Sequence, residues 1–221
     1  EWYEAYADYE KTASDLEQLV HGVAVEVLGS SSIERDGKSI DLTPPWRRVT
    51  LRDAILEHAG IDIEIETTRE KLAAAMGVEL EPDVGWGKLV DTVFSKRVEP
   101  TLIEPTFILD YPKELSPFAK AHRSKEGVVE RWEAFLGGVE IANSFSELND
   151  PDEQRRRFEQ QAEELARGDD EAQPYDESFI EALEQGMPPT GGVGLGIDRL
   201  VMMLTGASSL REVVLFPAMR D

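Results

Sequence analysis

Hydrophobic positions along this chain recur with two different spacings. From Asp8 to Val27 they return at helical intervals, through Leu16, Leu19, Val20, Val23, Val27 and Leu28, until Gly29-Ser30-Ser31-Ser32 ends the run. The same spacing predicts a helix from Thr50, as N-cap, to Ala59 with Gly60 as its stop. It predicts another over Glu66–Met76 closed by Gly77, and a third over Gly85–Val98 with Leu89, Val90, Val93 and Phe94 on one face. Residues 43–98 therefore read as a mostly helical block, an insertion or cover between sheet segments. Two further helices are expected, one from Pro151 to about Arg167 with a break at Gly168-Asp169-Asp170, and one from Asp176 to Gln185. The triple Arg155, Arg156 and Arg157 in the first of these reads as surface pairs.

Strand character appears elsewhere. Glu1–Tyr6 is aromatic and looks like the end of a strand, and Ile33–Leu42 carries Asp36-Gly37 between short apolar runs, a hairpin pattern. Thr101–Tyr111 is β-rich with Pro105 inside it, which suggests an edge or a bend. Leu210–Pro217 reads as a last buried strand. Val128–Leu136 and Val139–Phe145, joined by Gly137-Gly138, form the clearest hairpin. If Leu136 pairs with Val139, then Phe135 opposes Glu140 and Glu133 opposes Ala142. Those four residues would share a face, with the two carboxylates diagonal. Such a pair either lies hydrated on an open surface or shares a cation with substrate phosphates, as Mg²⁺ does with few oxygen ligands. The pattern alone favours the hydrated surface.

The stretch Gly191-Gly192-Val193-Gly194-Leu195-Gly196-Ile197-Asp198-Arg199-Leu200 carries the most specific pattern. Read as a strand, it places Gly192, Gly194 and Gly196 on one face and Val193, Leu195 and Ile197 on the other. The bald face either lets a helix pack closely or receives a flat ligand. Asp198 is expected to cap a helix that runs through Leu204 to Gly206, with Arg199 in its first turn at the edge of the bald floor. The spacing fits neither a P-loop nor a dinucleotide fingerprint.

Composition narrows the classes. The 221 residues suffice for one large domain, and 41% hydrophobic content supports a core. No apolar run is long enough to span a bilayer. Cysteine is absent, which removes disulfides, thiolate metal sites and a Cys nucleophile and suits a cytoplasmic enzyme. With 45 acidic against 23 basic residues the net charge is −22. The overall field repels nucleic acid, so any such contact must be local. Lys120–Lys125 is the one locally basic stretch, either a solvated loop or a phosphate contact.

Several segments together resemble a known family. Gly192–Leu200, followed by Phe216-Pro217, is similar to motif 3 of class II aminoacyl-tRNA synthetases of the aspartate, asparagine and lysine group. Glu1-Trp2-Tyr3-Glu4-Ala5-Tyr6-Ala7-Asp8-Tyr9 resembles the segment that closes motif 2 in the lysine enzymes, and Val139–Asp150 resembles their second signature. The resemblance runs the length of the chain. It implies an α+β fold with an antiparallel sheet flanked by helices, and a lysine-tRNA ligase that uses ATP, L-lysine, tRNA(Lys) and Mg²⁺, as a homodimer in the cytoplasm. It implies Glu133 and Glu140 as Mg²⁺ ligands, and Arg199 with Gly194 and Gly196 at ATP. Glu1, Tyr3 and Glu147 would read the lysine side chain, with Asn143 near its carboxylate. Asn143 and Glu147 have the wrong parity for the Glu140 face in a regular strand, so a bulge or an early strand end is required.

By the same resemblance the chain corresponds to the C-terminal part of the catalytic domain. An OB-fold anticodon domain, motif 1 and most of motif 2 would lie upstream, and these 221 residues alone are expected not to aminoacylate tRNA. A protein-lysyltransferase paralogue and a fusion to a membrane lysyltransferase share the resemblance, and the upstream sequence separates them; a non-catalytic binding module is separated by a lack of Mg²⁺-dependent ATP binding in the full-length protein.

Overall fold

The computed structural model describes residues 1–81, 84–116, 118–166 and 174–217. Its centre is a six-stranded sheet made of β1 (Trp2–Ala5), β4 (Arg47–Thr50), β5 (Thr106–Leu109), β6 (Arg131–Leu136), β7 (Val139–Ser146) and β8 (Thr190–Leu195). Their spatial order is β1-β8-β7-β6-β5-β4. All neighbours are antiparallel except β4 and β5, which run parallel. Strand β4 falls inside the block read as helical, and Pro105 sits just before β5 rather than within it. The strands β2 (Ser32–Arg35) and β3 (Lys38–Asp41) form the separate hairpin that Asp36-Gly37 announced.

Helix α1 (Tyr9–Leu28) starts at Asp8, whose carboxylate accepts from the Glu10 and Lys11 backbone N–H groups, and ends at Gly29. It lies against one face of the sheet. The face it buries is not the large aliphatic stripe: Leu16 and Val20 are buried, but so are Thr12, Ala13 and Ala24, while Leu19, Val27 and Leu28 are exposed. Small residues let the helix approach the strands closely, and size-weighted periodicity does not register them. The core on this side joins α1 and the hairpin to Trp46, Phe107, Trp132, Ala134, Ile141 and Val193.

Helices α2 (Leu51–Ala59), α3 (Arg69–Met76) and α4 (Trp86–Val93, continued by a wider turn to Val98) make a second core. It includes Ile108 and Phe135, which face away from α1. The helical block therefore covers the opposite sheet face over β4, β5 and the end of β6. Over β7, β8 and β1 that face is polar, and the candidate site lies there.

The register across β6 and β7 decides the site's floor. Gly137 and Gly138 make the tight turn with φ of 61° and 74°, as such hairpins require. Leu136 opposes Val139 and Phe135 opposes Glu140, as expected. Then the register shifts: Ala134 opposes Ala142 and Glu133 opposes Asn143. The extra residue, Ile141, is a bulge that reverses the parity beyond it. Ala142 thus turns to the α1 face, contrary to the regular pairing, and Asn143 joins Glu133, Phe135 and Glu140. The parity conflict for Asn143 and Glu147 disappears with it.

The helices α5 (Pro151–Ala166) and α6 (Glu177–Glu184) pack on the loop before β6. Arg155 pairs with Glu177 and Glu184, and Arg156 with Glu153. Arg157 is no surface residue: it is 3% exposed and its guanidinium donates to the Ser116 and Ala119 carbonyls. The break expected at Gly168-Asp169-Asp170 lies outside the described residues. Helix α7 (Ile197–Thr205) follows β8 directly, so Gly196 is the N-cap and Asp198 sits one step inside the first turn. The run Leu210–Pro217 is not a strand. Leu210–Glu212 is a short 3-10 turn, and Leu215 and Phe216 lie exposed.

Candidate functional site

The four glycines of β8 and its end have separate uses. A Cβ at Gly191 would stand 2.7 Å from Thr12 Cγ2 and 3.1 Å from the Asp8 carbonyl, so this glycine admits α1. Its neighbour faces the other way. A Cβ at Gly192 would lie 1.9 Å from Glu147 Oε1 and 2.8 Å from the Tyr3 ring. At Gly194 it would meet only Asn143 Oδ1, at 3.6 Å, and at Gly196 the stem of Arg199, at 3.2 Å. Close helix packing and a bare ligand-side floor, the two readings of the glycine pattern, thus coexist on adjacent residues.

Pairing carries the floor sideways. Tyr3 opposes Gly192, Gly194 opposes Asn143, and Asn143 opposes Glu133. At one end, Glu1, Tyr3 and Glu147 converge over Gly192. The Tyr3 hydroxyl donates to Glu1, which pushes its pKa up to about 12. The Glu147 carboxylate has no hydrogen-bond donor among the described residues. Burial pushes it up to about 7, and the Glu1 carboxylate nearby adds to the rise. Two acids are held together here with no Lys, Arg or His side chain paired to either among the described residues, an arrangement that a ligand ammonium would relieve.

Beyond Glu147 opens a cleft of about 380 Å³, lined by Tyr6, Asp8, Lys120, Arg123 and Thr190 among others. Its basic side chains are already engaged within the fold. Arg123 pairs with Glu130 and Asp8, Lys120 donates to Asn149, and Lys125 pairs with the buried Asp110. Arg123 and Lys125 of the basic loop are therefore paired with acids of the fold, while Lys120 is held by a neutral amide.

At the other end, Glu133 and Glu140 occupy the same face with Arg199 beside them. Arg199 Nη1 donates to both the carbonyl and the carboxylate of Glu140, at 2.9 Å each. Glu133 accepts from Arg131 and, at 2.7 Å, from the Tyr111 hydroxyl. Burial pushes the Glu133 carboxyl up, Arg131 restrains the rise and Glu140 adds to it. A third acid, Glu99, is raised by burial and then by Glu133 and Glu140. Among the described residues no group of three or more His, Asp or Glu forms a metal cage. Two carboxylates on adjacent strands, each engaged by an arginine, fit a cation completed by phosphate oxygens once Arg199 turns from Glu140 to the phosphates.

Arg131, Tyr111 and Glu99 are further residues at this end that no sequence motif singles out. Arg131 and Glu133 are two apart on one strand and so share a face, a signal that was available. Tyr111 and Glu99 reach the site only through the fold.

A glycine-floored strand runs into an arginine-bearing helix beside two carboxylates on a mostly antiparallel sheet. The family model for class II tRNA synthetases (D, K and N) matches residues 1–220. The chain belongs to that family. It is 51% identical over 223 residues to the lysine–tRNA ligase of Moorella thermoacetica, covering 100% of this chain and 46% of that protein. It is 53% identical to the lysine–tRNA ligase of Thermosynechococcus vestitus and 51% identical to that of Nostoc punctiforme, covering 44% and 40% of those proteins. The chain thus spans less than half the length of these curated relatives. No described helix is long and apolar enough to cross a membrane.

Proposed function

We propose that the protein containing this chain is a lysine-tRNA ligase, which activates L-lysine with ATP and transfers it to tRNA(Lys). The observation that carries this reading is the pair of acids over Gly192. Of the three amino acids that the family's description names, only lysine has a cationic side chain. An ammonium beside Glu147 and Glu1 exchanges a like-charge conflict for two ion pairs. A neutral or acidic side chain would leave those acids unpaired, which is the strong form of discrimination.

In this reading Tyr3 and Glu1 fix the far end of the lysine and Asn143 lies near its carboxylate. ATP lies on Gly194 and Gly196 under Arg199. The lysine carboxylate attacks the α-phosphate in line, pyrophosphate leaves, and the lysyl group then passes to tRNA. No covalent enzyme intermediate is needed, so the residues contribute placement and charge compensation. Arg199 offsets phosphate charge once it leaves Glu140. Glu133 and Glu140 would hold Mg²⁺, which when bound neutralises phosphate charge. A cytoplasmic homodimer is the setting this function implies.

The test is ATP–pyrophosphate exchange by the protein with lysine, aspartate or asparagine as the only amino acid. Exchange with lysine alone is expected. Exchange driven by aspartate or asparagine, or none with lysine, would overturn the proposal.

A further inference from the structure

Arg131 occupies an unusual position for a charged residue. Its guanidinium lies 4.5 Å from the centre of the Tyr111 ring and 5.5 Å from that of Phe145, between two aromatic faces. One terminal nitrogen donates to the Leu115 carbonyl at 2.8 Å and the Ser116 hydroxyl at 2.7 Å. The other donates to Glu133 Oε1. The side chains of Arg131 and Glu133 are each 15% exposed, and Tyr111 is 4% exposed. The Tyr111 hydroxyl donates to the second Glu133 oxygen. So both oxygens of this carboxylate are gripped, each by one donor, from groups that are themselves fixed on a second side.

A carboxylate has about four lone-pair positions, so two donors leave roughly half of its acceptor capacity open. The grip therefore aims the group without using it up. Glu140 differs. Among the described residues its one gripping side chain is Arg199, which is 42% exposed and lies on no aromatic face. The two acids on the floor have unlike supports, one rigid and one releasable.

We infer that Arg131 and Tyr111 are positioning residues: they hold the Glu133 carboxylate oriented toward the cation that accompanies ATP. The inference rests on the reading of Glu133 as a holder of Mg²⁺. Arg131 acts through its planar fork and its place between the rings, which a lysine reproduces poorly. Donors behind a ligating carboxylate typically contribute 10- to 100-fold in metal affinity.

The experiment is equilibrium binding of ATP to the protein at a series of free Mg²⁺ concentrations, with a metal-free arm in chelator and a parallel measurement of lysine binding. The variants are Tyr111→Phe, which removes only a hydroxyl, and Arg131→Lys. Both are expected to need about 10-fold or more Mg²⁺ for half-saturation. Metal-free ATP affinity and lysine affinity should stay at the wild-type values, and high Mg²⁺ should restore ATP binding. A general packing defect would depress all three and would not respond to metal. If Tyr111→Phe binds ATP with the wild-type Mg²⁺ dependence, or loses lysine and metal-free ATP binding equally, the inference is overturned. If the wild-type protein binds ATP with no dependence on Mg²⁺, the underlying reading of Glu133 fails, and the inference fails with it.

Discussion

Replacing Glu147 by Gln is expected to stabilise the protein in a pH-dependent way. The carboxyl rises from 4.5 to about 7 in the fold, mainly through burial. Because the folded-state value lies above the unfolded one, the group's favourable contribution is fully present below about pH 4.5 and is lost as pH rises through about 7. Above that, the fold carries an ionised acid that the unfolded chain would hold more comfortably. At about 1.4 kcal/mol per pH unit the displacement amounts to about 3 kcal/mol. Solvent at the cleft side discounts this to about 2–3 kcal/mol. Gln keeps the shape and removes the ionisation. Urea unfolding of wild type and variant at about pH 4.5 and about pH 8 isolates the term as a difference of differences, because any pH-independent effect of the amide cancels. The expected result is a gain for the variant at the higher pH that exceeds its gain or loss at the lower pH by about 2–3 kcal/mol. Saturating lysine should erase that advantage, since it supplies the wild-type carboxylate with its counter-ion. A difference that does not change with pH, or a variant relatively less stable at high pH, would refute the reasoning.

The same linkage predicts that lysine binding weakens by up to about tenfold per pH unit below about pH 7 as Glu147 protonates, and that Glu147→Gln flattens this profile; binding titrations across pH check it. Gly192→Ala should displace Glu147 and Tyr3 and weaken lysine binding by about tenfold or more while leaving the fold intact. Gly191→Ala should instead push α1 off the sheet and cost about 1–3 kcal/mol in denaturant unfolding with lysine affinity little changed. Arg199→Ala should lower the rate of lysine-dependent pyrophosphate exchange about 100-fold or more, read in single-turnover adenylation. Glu140→Ala should bind metal-free ATP more tightly than wild type, because Arg199 is no longer held at 2.9 Å by the Glu140 carboxylate.

What could be read along the chain were features whose physics is local. Asp8, Thr50, Gly29 and Gly60 mark helix ends because caps and left-handed turns depend on the residues at hand. Gly137-Gly138 set the hairpin and the Phe135–Glu140 pairing for the same reason. The alternation of glycines on β8 put Gly192 and Gly194 on one face without reference to anything else. Long-range packing was not legible. The Ile141 bulge, which brings Asn143 beside Glu133, leaves no mark in a pattern of apolar and polar residues. The inner stripe of α1 includes Thr12, which packs on Gly191, a partner about 180 positions away. Leu210–Pro217 is hydrophobic enough for a strand but begins as a 3-10 turn instead. Strand β4 pairs parallel with β5, which the local sequence cannot specify.

Chemistry divides in the same way. The identity of the acids and of Arg199, and the family they suggest, belong to the sequence. Their charge states and supports belong to the tertiary structure. Glu147 is raised because the fold buries it beside Glu1, and Glu133 is gripped because Arg131 and Tyr111 converge on it from β6 and the end of β5. Burial and charge proximity are properties of three-dimensional neighbours, and residues 146 positions apart in the chain, such as Glu1 and Glu147, become neighbours only when the sheet assembles.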